Sequence, residues 1–340
     1  MQKSGMSDQD DSDLANFFDR LRTRNFDEST CFLCARSFEN SGASSEHVFP
    51  KWLQKRFDLW DQQLYLLNRT VIPYRYLTVP CCVECNTYRL QPIETTVSEA
   101  VAKGYQALRN LDRKTLFLWL GKIFYGILYK ELFLLLDRKT GSGITIATPE
   151  LLREYETHLI LLQQAREKVE FVGENPGSIF VFPTQMPEQV SLQWDICDNV
   201  DTMFIAIRMG EVGMIGVLAD GGAQMIYEDD YKDIMKVPLH PIQFRELCAQ
   251  FSYRSTLATR TPKYVTVQDK PHKMFQLPLG GFSLKPYFDE WDMAVYAKYL
   301  SFYTDVPYES IFRPPDQIAT WLHDPSGKVQ YLDIRKHPFP

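Results

Sequence analysis

Two thiol pairs carry the clearest chemistry in this chain. Cys31-Phe-Leu-Cys34 and Cys82-Val-Glu-Cys85 are both C-x-x-C turns, separated by the 47 residues 35–81. Each such turn presents two soft ligands on the same side, and two of them surround one ion tetrahedrally, the ligand set of structural zinc. Cys81 offers an alternative register through Cys81 and Cys85, but Cys82 repeats the spacing of the first pair. The remaining thiols, Cys197 and Cys248, stand alone and read as small buried apolar residues. Seven cysteines is an odd number, and the chain opens on a polar, acidic stretch without a secretory signal. Reduced, metal-binding thiols are therefore expected in place of disulfides, together with a cytoplasmic location.

Between the pairs lies Ser45-Glu46-His47-Val48-Phe49-Pro50, and directly after the second pair comes Asn86, with Arg89 three positions on. A carboxylate, an imidazole and an amide bracketed by a zinc site supply a hard-oxygen ligand, a base titrating near neutrality and a second oxygen ligand. Lys51, Lys55, Arg56, Arg69 and Arg75 make the stretch after His47 locally basic, either as an ordinary solvated surface or as contacts to phosphates.

This order of motifs resembles the HNH family of ββα-metal nucleases in its four-cysteine zinc form, over about residues 25 to 95. The resemblance implies that the dipeptide Glu46-His47 ends the first strand and that Glu46, with Asn86, holds a catalytic Mg²⁺ or Mn²⁺. It implies that His47 activates the attacking water and that Arg89 and Lys51 contact phosphate. It implies DNA as substrate, with prokaryotic (antiviral) defence or a mobile element as setting. One such centre cuts one strand, so a homodimer is compatible with duplex cleavage. Three departures are visible: the acid is Glu where Asp is commoner, the insert from Pro50 to Cys81 is long and aromatic, and the family's middle Asn falls near Tyr76 or Leu77. Asn68 lies too far upstream to replace it. Two other readings compete: a zinc-stapled module that binds nucleic acid or protein without cutting, and a site using His47 as a zinc ligand beside three cysteines.

The elements that must hold these residues follow from composition and periodicity. The 340 residues are 45% hydrophobic and 14% aromatic, enough for a sizeable core, and the net charge of −6 excludes a chain-wide basic clamp on nucleic acid. Residues 1–24 read as a tail with a short helix over 14–22, and 25–95 as the finger. Residues 96–172 read as helical, with helices over 94–138 and 149–168. The apolar stretch 115–136 contains Lys122, Lys130 and Glu131 and reads as a buried helix, with no membrane span. Residues 173–340 read as an α+β domain, with strands in SIFVFPTQ, MFIAIRM and GMIGVLA, a turn at Ala219–Gly222, helices over 241–251 and 289–303, and a strand over 264–268. This part matches no recognisable motif; a sensor, a specificity domain, or a surface for an activator or partner protein are its expected roles. The whole reads as α+β.

Overall fold

The computed structural model describes residues 23, 28–39, 42–137, 139, 143–146, 154–279 and 285–337. The expected N-terminal tail and the helix over 14–22 lie outside them, as does Pro149.

The chain is a mixed α+β protein. Strand β1 (Ala43–His47) pairs antiparallel with β4 (Thr78–Cys82), setting Glu46 opposite Val79 and His47 opposite Thr78. The long insert between them carries helix α1 (Lys51–Arg56) and a hairpin of β2 (Gln63–Tyr65) with β3 (Val71–Pro73). After β4 the chain enters a π-helical turn over Glu84–Leu90 that runs straight into helix α2 (Gln91–Lys103).

The helical stretch expected over 94–138 is broken into three. Gly104, at φ 88°, ends α2 in a conformation that only glycine adopts without strain. A short helix, α3 (Tyr105–Arg109), follows. Asp112 then caps helix α4 (Arg113–Leu132), its carboxylate accepting from the Thr115 amide at 2.8 Å. Helix α4 is buried on nearly every side, which is why its sequence is apolar all round. It ends at Leu132, short of the end of the apolar stretch 115–136 and of the helical stretch expected to 138. No helix among the described residues is long and apolar enough to cross a membrane.

The stretch expected to be helical to 168 is also shorter. Helix α5 (Glu156–Leu162) passes into a 3-10 turn over Gln163–Arg166. Glu167 then turns left-handed at φ 57°, and the chain leaves as strand β5 (Val169–Val172). β5 pairs in parallel with β11 (His272–Gln276), which pairs with β10 (Tyr264–Val267).

The central sheet has the order β6-β9-β8-β7, all antiparallel, from β6 (Ser178–Pro183), β7 (Trp194–Asn199), β8 (Phe204–Met209) and β9 (Val212–Val217). Three of these are the expected apolar runs. β7 is polar on alternate positions and was not foreseen. Both faces of the sheet are covered, so the runs are apolar without alternation. Ile179, Val181, Ile205, Ile207 and Met214 point to the side that holds α4 and α5. Phe180, Phe182, Phe204, Ala206 and Ile215 point to the other, against helices α6 (Pro241–Thr256) and α7 (Met293–Thr304).

The first of these cores contains Cys31, Val48 and Phe49 as well as α4 and the sheet's inner face. The cysteine-bearing finger, the helical segment and the sheet thus share one apolar interior. Packing is tight at Gly126 of α4, where an added methyl group would stand 2.9 Å from Val48 Cγ2, next to His47.

Candidate metal centre and catalytic cavity

The four cysteines of the two C-x-x-C turns converge. The sulfurs of Cys31, Cys34, Cys82 and Cys85 all lie within 4.8 Å of one another, and all four residues are buried. Metal–sulfur arms of about 2.3 Å at tetrahedral angles require sulfur–sulfur edges of about 3.8 Å. The Cys34–Cys82 edge is 3.8 Å. The Cys85 amide donates to Cys82 Sγ at 3.4 Å, a contact that stabilises a thiolate. The first turn closes through the Ala35 amide on the Cys31 carbonyl, with Ala35 left-handed at φ 56°. Four buried cysteines so arranged are able to hold a metal such as zinc. Cys81 lies outside the quartet, its sulfur 4.0 Å from that of Cys31, because successive strand residues point to opposite faces. His47 is likewise not among the four.

The acid, the imidazole and the amide meet beside this centre. Glu46, His47 and Asn86 line one cavity of about 430 Å³, together with Ser45, Lys51, Trp52, Gln91, Glu94 and Glu99. β1 supplies Glu46 and His47, and the π-helical turn supplies Asn86. The Asn86 amide nitrogen donates to Ser44 Oγ at 3.1 Å and to the Ser45 carbonyl at 3.4 Å. Both are β1 atoms, so the nitrogen of the amide is spent on the strand and its oxygen is the end left for other partners. His47 is half-buried, and its ring stacks on Trp60 with centroids 6.1 Å apart and planes 22° from parallel. Burial, and then the charges of Lys51 and Lys122, hold its pKa below the usual value, which favours the neutral imidazole.

Lys122, in the middle of α4, is a site residue that motif reading missed. Its buried ammonium pairs with Glu46, pairs with Glu94 at 2.6 Å, and donates to the carbonyls of His47 at 2.9 Å and Val48 at 3.2 Å. Burial alone would lower its pKa, but the two carboxylates outweigh burial and raise it, so it stays charged. Burial pushes Glu94 up to about 7 against the opposing pull of Lys122. The Val48 amide in turn donates to the Leu77 carbonyl at 3.0 Å. The loop after His47 is thus braced by Lys122 and a main-chain carbonyl, where the resemblance places a middle Asn. Asn68 serves elsewhere, donating to the Leu135 carbonyl at 3.1 Å.

Arg89 does not join the cavity. Its guanidinium pairs with Glu167 at 2.8 Å and lies 4.0 Å from Glu84, because the π-helical turn carries it to the α5 side. Lys51 does line the cavity, whereas Arg75 pairs with Asp61 and lies over the Tyr76 ring. The only signal that could have found Lys122 and Glu94 was charge inside otherwise apolar or amphipathic helices, which by itself names no partner.

Comparison with protein-family models, with curated proteins and with solved structures gives no match to this chain.

Proposed function

We propose that the chain is a metal-dependent HNH-type endonuclease that hydrolyses DNA phosphodiester bonds at the cavity beside the four-cysteine centre. The observation that carries the reading is the convergence of Glu46, His47 and Asn86 on one open cavity, from a strand and from the helical turn that follows the last cysteine. The strand pair and following helix, with cysteines at both ends, support a ββα-metal arrangement with a structural zinc.

The donor set suits a hard divalent cation: a carboxylate of Glu46 and the amide oxygen of Asn86, with water filling the rest. Such an ion, Mg²⁺ or Mn²⁺, would supply charge neutralisation to the phosphoryl group and the leaving oxygen. His47 takes the proton of the attacking water at a ring nitrogen, and stacking on Trp60 fixes the plane of that ring. Lys122 holds the main chain of His47 and the carboxylate of Glu46 in place from behind. Lys51 offers a cation to a phosphate at the cavity wall.

The deep ion pair between Glu46 and Lys122 favours a second reading, in which Glu46 is structural and the finger binds nucleic acid or a partner without cutting. Nicking of supercoiled plasmid with Mg²⁺ or Mn²⁺ separates the two. Nuclease activity should fall by roughly 10²–10⁴ in His47→Ala at equal zinc content. Nicking that survives the substitution overturns the assignment of His47. A zinc-loaded, folded wild type that never nicks favours the binding module.

A further inference from the structure

The cavity is poor in the charge that a duplex demands. Its wall holds three carboxylates, Glu46, Glu94 and Glu99, against Lys51, with Lys122 consumed behind it. The whole chain carries −6. Duplex binding without a sequence code rests on neutralising several phosphates with Lys and Arg; of the residues that line the cavity only Lys51 is such a cation, with Lys55 and Arg56 exposed on α1 outside it.

What surrounds His47 instead is aromatic. Trp60 covers its ring in a near-parallel stack and is still 37% exposed. Tyr76 is 59% exposed, two residues before Thr78, the strand partner of His47. Arg75 joins the two: its guanidinium lies 4.7 Å from the Tyr76 ring centroid and donates to the Trp60 carbonyl at 3.3 Å. Asp61 neutralises that guanidinium, so it serves as a stacking plane more than as a phosphate clamp. The insert from Pro50 to Cys81 thus carries a ledge of two exposed rings linked through one guanidinium, with Trp60 against His47. Large exposed rings gain by covering apolar area, and every nucleobase has a flat face to offer them, but only when it is unpaired.

We infer that the Trp60–Arg75–Tyr76 ledge binds unpaired bases, so that single-stranded nucleic acid is the substrate class presented to His47. The inference deepens the nuclease reading and rests on it for the role of His47, while the ledge itself is tested by binding alone.

The test is fluorescence anisotropy with the full-length, zinc-loaded chain and no added Mg²⁺ or Mn²⁺. The probes are labelled oligothymidylate of about 20 nucleotides and a hairpin duplex of similar length, a span that exceeds a typical single-strand site. The single strand should bind at least about tenfold more tightly than the duplex, and Trp60→Ala and Tyr76→Ala should each weaken it by roughly 5- to 100-fold, the cost of one lost base stack. Tyr76 is the safer variant, since its exposed ring contributes little to the core; melting temperature and zinc content check both. Equal affinity for duplex, no binding of either probe, or single-strand affinity untouched in both variants overturns the inference. Single-strand binding that behaves as expected in a chain that cleaves neither form sinks the nuclease reading and leaves the ledge standing.

Discussion

Lys122 Nζ stands 2.9 Å from the main-chain carbonyl of His47, reaching it from a helix 75 residues further along the chain. The same ammonium faces Glu46 and Glu94, so one buried cation fixes an acid, a base and a second acid at once. Removing it strands two largely buried carboxylates at the wall of the cavity. Lys122→Met should therefore lower stability by about 3–5 kcal/mol in urea unfolding. Adding Glu94→Gln to that variant should recover part of the loss, because one of the stranded charges is gone. A Lys122→Met protein as stable as wild type would show that the triad contributes no net pairing.

The cysteine quartet makes a sharp distinction between neighbours. Cys82→Ser should lose stoichiometric zinc and unfold the finger on chelation, whereas Cys81→Ser should retain one zinc per chain. Metal analysis of the two purified variants decides it; zinc lost from Cys81→Ser alone would reverse the register.

Arg89 and Asn86 sit on the same turn with different destinies. Arg89 pairs with Glu167, so Arg89→Ala should leave cleavage within about threefold and alter stability by less than about 1 kcal/mol, as for other partly exposed ion pairs. Asn86→Ala should weaken cleavage by roughly 10- to 100-fold at limiting metal, with the loss visible as a raised requirement for Mg²⁺ in a metal titration. A large activity loss in Arg89→Ala would mean that the guanidinium leaves Glu167 when substrate arrives.

His158 gives stability a dependence on acid. Its ring is buried among Phe117, Phe124 and Tyr125, with Nε2 3.2 Å from the Gly121 carbonyl, and burial lowers its pKa to about 4. The folded pKa lies below the unfolded value, so between pH 6.5 and 4 the unfolded chain binds the proton first. This contribution is complete above pH 6.5 and is lost on acidification toward 4, by about 3 kcal/mol in total. His158→Gln should show a shallower fall of urea midpoint over that window. An unchanged slope would place the acid sensitivity elsewhere.

Much of this was legible in the residues, for identifiable reasons. The cysteine quartet is local in its spacing, two turns each closed over four residues, so sequence alone reveals it. β6, β8 and β9 are legible because a sheet covered on both faces demands unbroken apolar runs, and α4 because a helix buried all round does the same. β7, Trp194-Asp-Ile-Cys-Asp-Asn, was not, because an edge strand with half-exposed acids looks like loop. The helix expected to reach 168 stops early because Glu167 turns left-handed and Val169 finds a parallel partner in His272, a hundred residues away. Nothing near Val169 announces that pairing. Lys122 fails for the same reason: in its own neighbourhood it says only that the helix is unfit for lipid, and its meaning is fixed by Glu46 and Glu94, which come from two other elements.

Helix α4 touches the central sheet on one side, and with Lys122 and Gly126 it backs the His47 strand on the other. The finger therefore shares its backing with the sheet. On the proposed nuclease reading, a shift of about an ångström passed through α4 to the carbonyl of His47 would misalign the base. The sheet, helix α4 and the His47 strand are thus mechanically continuous, so that a change of packing where α6 and α7 cover the far face of the sheet has a path to the proposed site.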